Sequence, residues 1–359
     1  MKLSLFGCAA TLVALSTASV ASFPEPHFGN CTISQQGKLD AAIPDAINIS
    51  HLASSAIHLA LQSANNLTTL ETDPGLSAAN VSVLLERWFG KDVLPVTPAG
   101  VANSEHLYEH YTRMHDLLAN SSLPYRCVAP ETMKDNGTPL CPPDVLAFVR
   151  YHHDMLAGTK WMSASHSGIN FCPESLEPKN ITWQRMVHLW EGHGKNETLL
   201  LGWSMPIIMI HEMSHQMAVE RPQVVIDVPT VNENYTSDSH RKAYRPQAAQ
   251  LLAMADTNLA MHNAANYALF AAEVAITSMT GVLPPETDDR PFLREVVYPD
   301  GHVEYERASH HEAAEYVHGR MNKTELAAFA SGMRVIEALR IVTETATSTK
   351  ATVTATTVL

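Results

Sequence analysis

The amino-terminal third of the chain places apolar residues at the spacing of an α-helix in three stretches. The first runs from residue 38 to residue 64, the second from 78 to 89 and the third from 103 to 118. Apolar side chains that recur every three or four residues share one helix face and pack against a core. We therefore predict that this part of the protein is mostly helical.

The third stretch carries His106, His110 and His115, a set that invites comparison with a metal site. These histidines come without a cysteine or an acidic residue that would complete a ligand set. A helix face of this kind is more often exposed to solvent. We interpret the three histidines as a solvated face of the helix.

Between Cys127 and Cys172 the pattern changes to Pro, Gly and short apolar runs. Residues 145–149 and 169–171 have the composition of short strands, so we predict a strand pair stapled by a disulfide. The segment that follows carries glycosylation sequons at residues 180 and 196 and is predicted to be a loop.

A helix that begins near Ser204 is predicted to lie at the centre of the core. Ser204 can cap this helix, Pro206 is tolerated in a first helical turn, and the pattern ends near residues 220–222. Residues 207–210 are all apolar, so the helix is hydrophobic nearly all round. A helix of that kind is normally buried.

Downstream, two Ala-rich patterns predict helices at residues 246–261 and 263–279. Residues 292–298 and 302–305 flank a Pro-Asp-Gly turn and predict a β-hairpin. A last amphipathic helix is predicted at residues 325–342. These elements indicate an α+β fold that is mainly helical, with a small hairpin or sheet.

Composition and charge limit which binding partners and which cellular compartment are plausible for this protein. The apolar share of 45% is ample for a core, and the net charge of -13 without a basic run argues against nucleic acid or a membrane surface as partner. Residues 1–22 are typical of a cleaved signal peptide, whose loss leaves four cysteines, an even number suited to two disulfides. Sequons occur at Asn30, Asn48, Asn66, Asn80, Asn120, Asn136, Asn180, Asn196, Asn234 and Asn322. We therefore expect a secreted, extracellular, N-glycosylated protein.

The central helix contains the pattern His211-Glu212-Met213-Ser214-His215. Residues four apart lie on one helix face, so the imidazoles of His211 and His215 can bind one metal ion with Glu212 beside it. This HExxH pattern is typical of zinc peptidases. A hydrolytic zinc site takes three protein ligands and a water, and Glu212 is the expected general base toward that water.

The third ligand must come from downstream, where three carboxylates are candidates. Glu233 stands in a segment similar to the ligand segment of thermolysin-like enzymes with one residue too many, but it directly precedes the sequon at Asn234. Asp238 follows in the same segment. Asp227 comes directly after the apolar run 224–226, which would carry the chain inward and bring the carboxylate to the metal. We favour Asp227 and keep Glu233 and Asp238 as alternatives.

Several segments together make the chain resemble the deuterolysin-type, or aspzincin, fungal zinc endopeptidases. Besides the HExxH pattern and Asp227, the resemblance rests on Tyr244 after Ala243, on residues 263–271 with the sequence Asn-Ala-Ala-Asn-Tyr-Ala-Leu-Phe-Ala, and on residues 87–90. It covers about residues 30–281. It implies a zincin-like metallopeptidase fold built around the HExxH helix.

This resemblance also implies roles for individual residues. His211, His215 and Asp227 would bind one Zn²⁺, Glu212 would act as general base, and Tyr244 would donate a hydrogen bond to the oxyanion. The implied activity is hydrolysis of peptide bonds in a protein or peptide substrate. Independently of the resemblance, we expect a monomer. The implied disulfides are Cys31 with Cys127 and Cys141 with Cys172.

The hairpin and the tail lie outside the resemblance, so the division of the chain beyond about residue 281 is our own prediction. We assign residues 23–285 to the metallopeptidase catalytic domain and expect the hairpin and helix of residues 286–342 to pack on it. Residues 343–359 are rich in Thr and Ala and are expected to form a disordered tail.

A different class of function is a non-catalytic secreted zinc-binding antigen, or zinc scavenger, on the same fold. Such relatives tend to lack an intact HExxH pattern, whereas this chain keeps Glu212. Hydrolysis is therefore the favoured function. A second pattern puts His311 and Glu315 four apart but lacks a second histidine at that spacing, and we interpret it as a solvated face.

Overall fold

The structure, a computed structural model, describes residues 26–65, 75–119, 123–134, 137–141, 145–149, 168–176, 182–192, 204–216, 225, 227–228, 246–284, 293–297 and 303–307. This part of the chain is mostly helical with a small mixed sheet, in agreement with the α+β prediction. The predicted signal peptide, the helix at residues 325–342 and the tail lie outside the described residues. Within the described ranges, no helix is both long and apolar enough to cross a membrane.

Three helices form the amino-terminal part: α1 at Ile33–Ala64, α2 at Ala78–Phe89 and α3 at Pro98–Ala119. α2 has the predicted bounds, whereas α1 and α3 begin earlier than the apolar pattern does. In α1 the cause is a capping box, in which the hydroxyl of Thr32 accepts from the N–H of Gln35 at 3.3 Å and the Gln35 side chain accepts from the N–H of Thr32 at 2.8 Å. α3 begins with a proline, which costs nothing in a first helical turn.

The sheet has four short strands in the order β1-β2-β4-β3. β1 is His27–Gly29, β2 is Pro124–Cys127, β3 is Ala147–Val149 and β4 is Ile169–Phe171. The antiparallel pairing of β3 with β4 confirms the predicted strand pair. β1 and β2 were not predicted, because their sequences, His-Phe-Gly and Pro-Tyr-Arg-Cys, lack the short apolar runs that indicated β3 and β4. They add two parallel pairings to the sheet.

Two disulfides connect strands of this sheet to neighbouring segments of the chain. Cys31 pairs with Cys127, and Cys141 pairs with Cys172, as the family resemblance implied. The first joins the segment before α1 to the end of β2. The second joins the segment before β3 to the residue after β4.

Among the described residues in the middle of the chain are the α-helices α4 at Trp183–Gly192 and α5 at Met205–Ser214. The prediction of a loop throughout residues 180–196 was wrong, because α4 lies within it and buries Trp183, Met186 and Val187. The predicted end of the central helix was also wrong, since α5 ends at Ser214 and not near residue 220. The predicted burial of this helix is confirmed, with all of residues 205–210 and 212–214 buried.

The helix predicted at residues 246–261 is divided into α6 at Pro246–Ala255 and α7 at Thr257–Met261. The division falls at Asp256, whose carboxylate accepts hydrogen bonds from the N–H groups of Asn258 and Leu259 at 2.8 and 3.2 Å. A side chain that caps a new helix in this way ends the preceding one.

Two further elements follow, α8 at Ala264–Thr280 and a hairpin. α8 has almost the predicted bounds and ends at Gly281, which adopts a positive φ of 67°. The hairpin strands are β5 at Leu293–Val297 and β6 at Val303–Arg307, and they pair antiparallel as predicted.

The core lies where α1, α5 and α8 pack against one another. Every residue of α8 from Ala264 to Thr277 is buried, so this helix contacts other elements on all sides. α5 is similarly enclosed. The helix that carries the HExxH pattern is therefore held by core packing rather than by exposed contacts.

A buried ion pair joins α2 to α8. The Glu273 carboxylate is fully buried and accepts from Arg87 Nη1 and from Trp88 Nε1, both at 2.8 Å. Arg87 Nη1 also donates to the carbonyl of Pro284 at 3.0 Å. Nearby, the Phe89 ring packs edge-on to Tyr267 with centroids 5.1 Å apart. The segments 87–90 and 263–271, which carry the family resemblance, thus contact each other.

We predict that Glu273→Met lowers the free energy of unfolding by about 3–5 kcal/mol, because the Arg87 guanidinium is then buried without a counter-charge. Urea denaturation at neutral pH measures the loss. The double substitution Arg87→Met/Glu273→Met should recover most of it. Glu109→Gln is the control, because Glu109 forms an exposed pair with Arg113, and it should cost less than about 1 kcal/mol. A similarly small loss for Glu273→Met would contradict the prediction.

Candidate metal centre

The HExxH residues lie at the carboxyl end of α5. The Ser214 hydroxyl donates to the carbonyl of His211 at 2.6 Å, and the helix ends there. His215 is the first residue beyond the helix, but its φ of -79° and ψ of -5° are still right-handed helical. The four-residue spacing therefore still brings His211 and His215 to one face, with ring centroids 5.1 Å apart.

The Asp227 carboxylate lies between these two imidazoles. Its Oδ1 atom is 3.1 Å from His211 Nε2 and 3.3 Å from His215 Nε2. In the part of the chain that the structure describes, these three residues are the one group of potential ligands whose atoms all lie within 4.8 Å of one another. The structure thus brings together His211, His215 and the favoured Asp227.

The spacing of these atoms suits a metal ion. Zinc binds imidazole nitrogen and carboxylate oxygen at about 2.0–2.2 Å, so two ligand atoms of a tetrahedral ion lie about 3.4 Å apart. The two distances from Asp227 Oδ1 are close to that value. The three side chains keep 14–18% of their surface exposed, so the group is reachable from solvent.

The His215 ring is oriented by a backbone contact on its other side. Its Nδ1 lies 3.0 Å from the carbonyl oxygen of Val225. A carbonyl can only accept, so Nδ1 carries the hydrogen and Nε2 is the nitrogen turned to Asp227. Histidine ligands of metal ions are commonly oriented by a second contact of this kind.

The charges at the site favour a protonated His215 when no metal competes. Burial by itself would lower the pKa of His215, but the carboxylates of Asp227 and Glu212 and the Val225 carbonyl raise it to about 9. Burial would likewise raise the pKa of Asp227, but the two imidazoles hold it well below its usual range. A metal ion that binds here must take the place of the proton on His215 Nε2.

Glu212 is buried, with 6% of its surface exposed. The charge of its carboxylate contributes to the raised pKa of His215. A carboxylate beside a candidate metal site, itself shielded from water, can accept and return a proton within the site.

Asp227 lies on a segment without helix or strand. Val225 and Val228, close to it in the chain, are fully buried. This agrees with the prediction that the apolar run 224–226 carries the chain into the protein interior. The Val228 N–H donates to Asn263 Oδ1 at 3.1 Å. The carboxylate is thus placed by buried neighbours on both sides.

Several residues from the sequence analysis lie outside the described residues. They are Tyr244, the alternative ligands Glu233 and Asp238, and the second histidine pattern with His311 and Glu315. Their roles remain predictions.

The interpretation of the histidines on α3 as a solvated face was wrong for His110. Only 3% of its surface is exposed, and its ring stacks on Tyr267 with centroids 4.2 Å apart. Burial, with smaller contributions from the charges of Arg113 and His215, lowers the pKa of His110 to about 3. His110 is therefore a neutral core histidine close to the candidate site, and it adds no positive charge there.

Sequence reasoning did not assign roles to Asn263 and Asn266. Both are fully buried, and Asn263 Nδ2 donates to Asn266 Oδ1 at 2.6 Å. Asn266 Nδ2 donates in turn to the carbonyls of Trp88 and Ala249, the latter at 2.9 Å. The sequence did contain a signal for these hydrogen bonds, namely two asparagines within the otherwise apolar segment 263–271. A polar side chain that is buried with such a segment needs hydrogen-bond partners.

Comparisons with known proteins find distant likeness among solved structures alone. No model of a known protein family matches the chain, and no curated protein matches it. Among solved structures, a zinc peptidase from Grifola frondosa is similar at 18% identity, over 68% of this chain and 97% of that chain, with a TM-score of 0.35. A likeness at this TM-score carries no argument about the fold or the activity of this chain. Function is therefore inferred from the site itself.

We predict that His110→Phe makes the fold less sensitive to acid. The unfolded chain takes up a proton at His110 near pH 6.5, whereas the folded chain does so only near pH 3, so stability falls as the pH is lowered between those values. Between pH 7 and pH 4 this amounts to about 3 kcal/mol. Phe keeps a ring against Tyr267 but cannot take up a proton.

Urea denaturation at pH 7 and at pH 4 measures this effect. The loss of stability between the two pH values should be smaller in His110→Phe by roughly that amount. His188→Gln, a change at an exposed histidine on α4, is the control and should keep the wild-type loss. Equal losses in all three proteins would show that the burial of His110 does not contribute to acid sensitivity.

Proposed function

We propose that the protein is a secreted zinc-dependent endopeptidase that hydrolyses peptide bonds in protein or peptide substrates. The observation that carries the proposal is the Asp227 carboxylate lying within 3.3 Å of the Nε2 atoms of both His211 and His215. Two imidazoles and a carboxylate, with the buried carboxylate of Glu212 nearby, are the residues that a hydrolytic zinc site requires.

His211, His215 and Asp227 would hold one Zn²⁺. Three protein ligands leave a fourth position of a tetrahedral ion for water or substrate, which is the arrangement of catalytic rather than structural zinc. Partial exposure of the three side chains supports this, because a substrate must reach the site. Zinc, when bound, would polarise the scissile carbonyl and lower the pKa of a water to about 7.

Glu212 would act as general base and then as general acid. Its carboxylate would accept a proton from the attacking water and pass it to the amine of the leaving peptide. The residue ends each turnover in the state in which it began. Its burial supports this role, since a proton held away from bulk solvent is delivered to the leaving group rather than lost.

Tyr244 is proposed to donate a hydrogen bond to the oxyanion that forms at the scissile carbonyl. The support is the resemblance of this position to the tyrosine of deuterolysin-type enzymes and its place two residues before α6 begins at Pro246. The same resemblance supports a zincin-like architecture around α5.

A secreted location is supported by the disulfides and the sequons. Disulfides persist in oxidising compartments, and both pairs here are formed. The sequon residues Asn30 and Asn48 are exposed, as the attachment of glycans requires.

We predict that Glu212→Gln abolishes hydrolysis of casein while leaving zinc bound at one ion per chain. Glutamine keeps the size of the side chain but cannot take up the proton of the water. Zinc is measured by elemental analysis of the purified protein, and hydrolysis by release of acid-soluble peptides. Casein cleavage by Glu212→Gln at the wild-type rate would remove Glu212 from the mechanism. A wild-type protein that binds zinc but cleaves nothing would favour the zinc scavenger.

We predict that Asp227→Ala loses most of its zinc, because the site is left with two ligands. The matched control is Asp238→Ala, which removes the alternative carboxylate and should retain one zinc ion per chain. Elemental analysis after dialysis against a weak chelator compares the two variants. The reverse pattern, with zinc kept in Asp227→Ala and lost in Asp238→Ala, would assign the third ligand to Asp238.

A further inference from the structure

We propose that Asn263 is a positioning residue for the metal centre, and that its side-chain oxygen sets the metal affinity by fixing the segment that carries Asp227. This inference rests on the proposed function, since it takes His211, His215 and Asp227 as ligands. Asn263 is proposed neither as a metal ligand nor as a substrate contact. It acts through the backbone beside Asp227.

The need for such a residue follows from where Asp227 lies. His211 and His215 are placed by α5, a helix enclosed in the core, whereas Asp227 lies in neither a helix nor a strand. A ligand must be held to within about 0.5 Å for tight metal binding. In the described segment, the backbone contacts that hold Asp227 are Val225 O with His215 Nδ1 and Val228 N with Asn263 Oδ1.

The contact to Asn263 is unusual because of where Asn263 stands. It occupies the N-cap of α8, where an asparagine normally accepts a hydrogen bond from the first turn of the helix. Among the described residues, its side chain makes no such capping bond. The oxygen is directed instead to the N–H of Val228, one residue beyond Asp227.

The orientation of the Asn263 amide is fixed by Asn266. Asn263 Nδ2 donates to Asn266 Oδ1, so the oxygen is the end of the amide that faces Val228. Asn266 is held in turn by the carbonyls of Trp88, in α2, and Ala249, in α6. A series of buried hydrogen bonds therefore connects the Asp227 segment to three helices, and it has one consistent arrangement of donors and acceptors.

Two substitutions separate positioning from folding. Asn263→Ser can form an N-cap hydrogen bond that offsets part of the loss of the Asn266 contact, but it is too short to reach Val228, so the fold should be kept while the metal affinity falls. Asn263→Asp keeps an oxygen for Val228 but cannot donate to Asn266, so stability should fall while the metal affinity is kept. A purely structural role predicts that affinity and stability change together.

The experiment compares wild type, Asn263→Ser, Asn263→Asp and the exposed control Asn258→Ser. It measures the zinc dissociation constant by competition with a chromogenic chelator, the thermal midpoint of the metal-free protein, and the absorption spectrum of the cobalt(II) form. We expect zinc to bind about 10- to 100-fold more weakly to Asn263→Ser, with a changed cobalt spectrum and a thermal midpoint no lower than that of Asn263→Asp. Asn263→Asp and Asn258→Ser should bind zinc about as tightly as wild type.

Each failure has its own meaning. Zinc affinity and a cobalt spectrum of Asn263→Ser equal to those of wild type would overturn this inference and leave the proposed function intact. Absence of zinc binding by wild type would overturn the proposed function. If Asn263→Ser is unfolded, Asn263→Asp carries the test, and weakened binding in that variant would overturn the inference. Unfolding of both variants would also overturn it, since Asn263 would then be required for folding.

Discussion

The contact of one partly buried carboxylate with two imidazoles is the interaction on which the functional part of this structure depends. Charged groups are removed from water only when each has a partner, and Asp227 has His211 and His215 within 3.3 Å. Because the pKa of His215 is raised to about 9, the metal-free site is held by this ion pair. Protons and a metal ion then compete for the same nitrogen.

The surrounding fold fixes the position of the Asp227 segment relative to α5. α5 packs between α1 and α8, so its position, and with it that of His211, is fixed by core packing. The Asp227 segment has no regular structure and is attached through Asn263 to the start of α8. α8 is joined to α2 by the buried pair of Glu273 and Arg87. The two parts of the site are thus fixed by contacts to the same helix.

Much of this arrangement could be predicted from local patterns. The four-residue spacing of the histidines and the apolar character of residues 207–210 are patterns within one segment, and they predicted the shared helix face and the burial of α5. The pair of β3 and β4 was predicted from two short apolar runs. The end of α5 at Ser214 could not be predicted in this way, because no glycine or proline marks it. α4 could have been found, since Trp183, Met186 and Val187 have helical spacing, but the flanking sequons favoured a loop.

The contacts between distant segments were beyond sequence reasoning. The apolar run before Asp227 indicated an inward course, but not that the carboxylate reaches both imidazoles. His110 comes three residues after Leu107 and four before Met114, on the apolar face of α3, so its burial had a signal in the sequence. Its contact with Tyr267, far along the chain, had none. The roles of Asn263 and Asn266 likewise depend on partners in α2, α6 and the Asp227 segment, which a single sequence does not show.

The most direct test of the metal centre is a crystal structure of the zinc-loaded protein with diffraction data collected on both sides of the zinc absorption edge. An anomalous peak is predicted about 2.0–2.2 Å from His211 Nε2, His215 Nε2 and a carboxylate oxygen of Asp227. A zinc peak bound by other residues, or a structure of the loaded protein in which Asp227 lies away from the ion, would contradict this account.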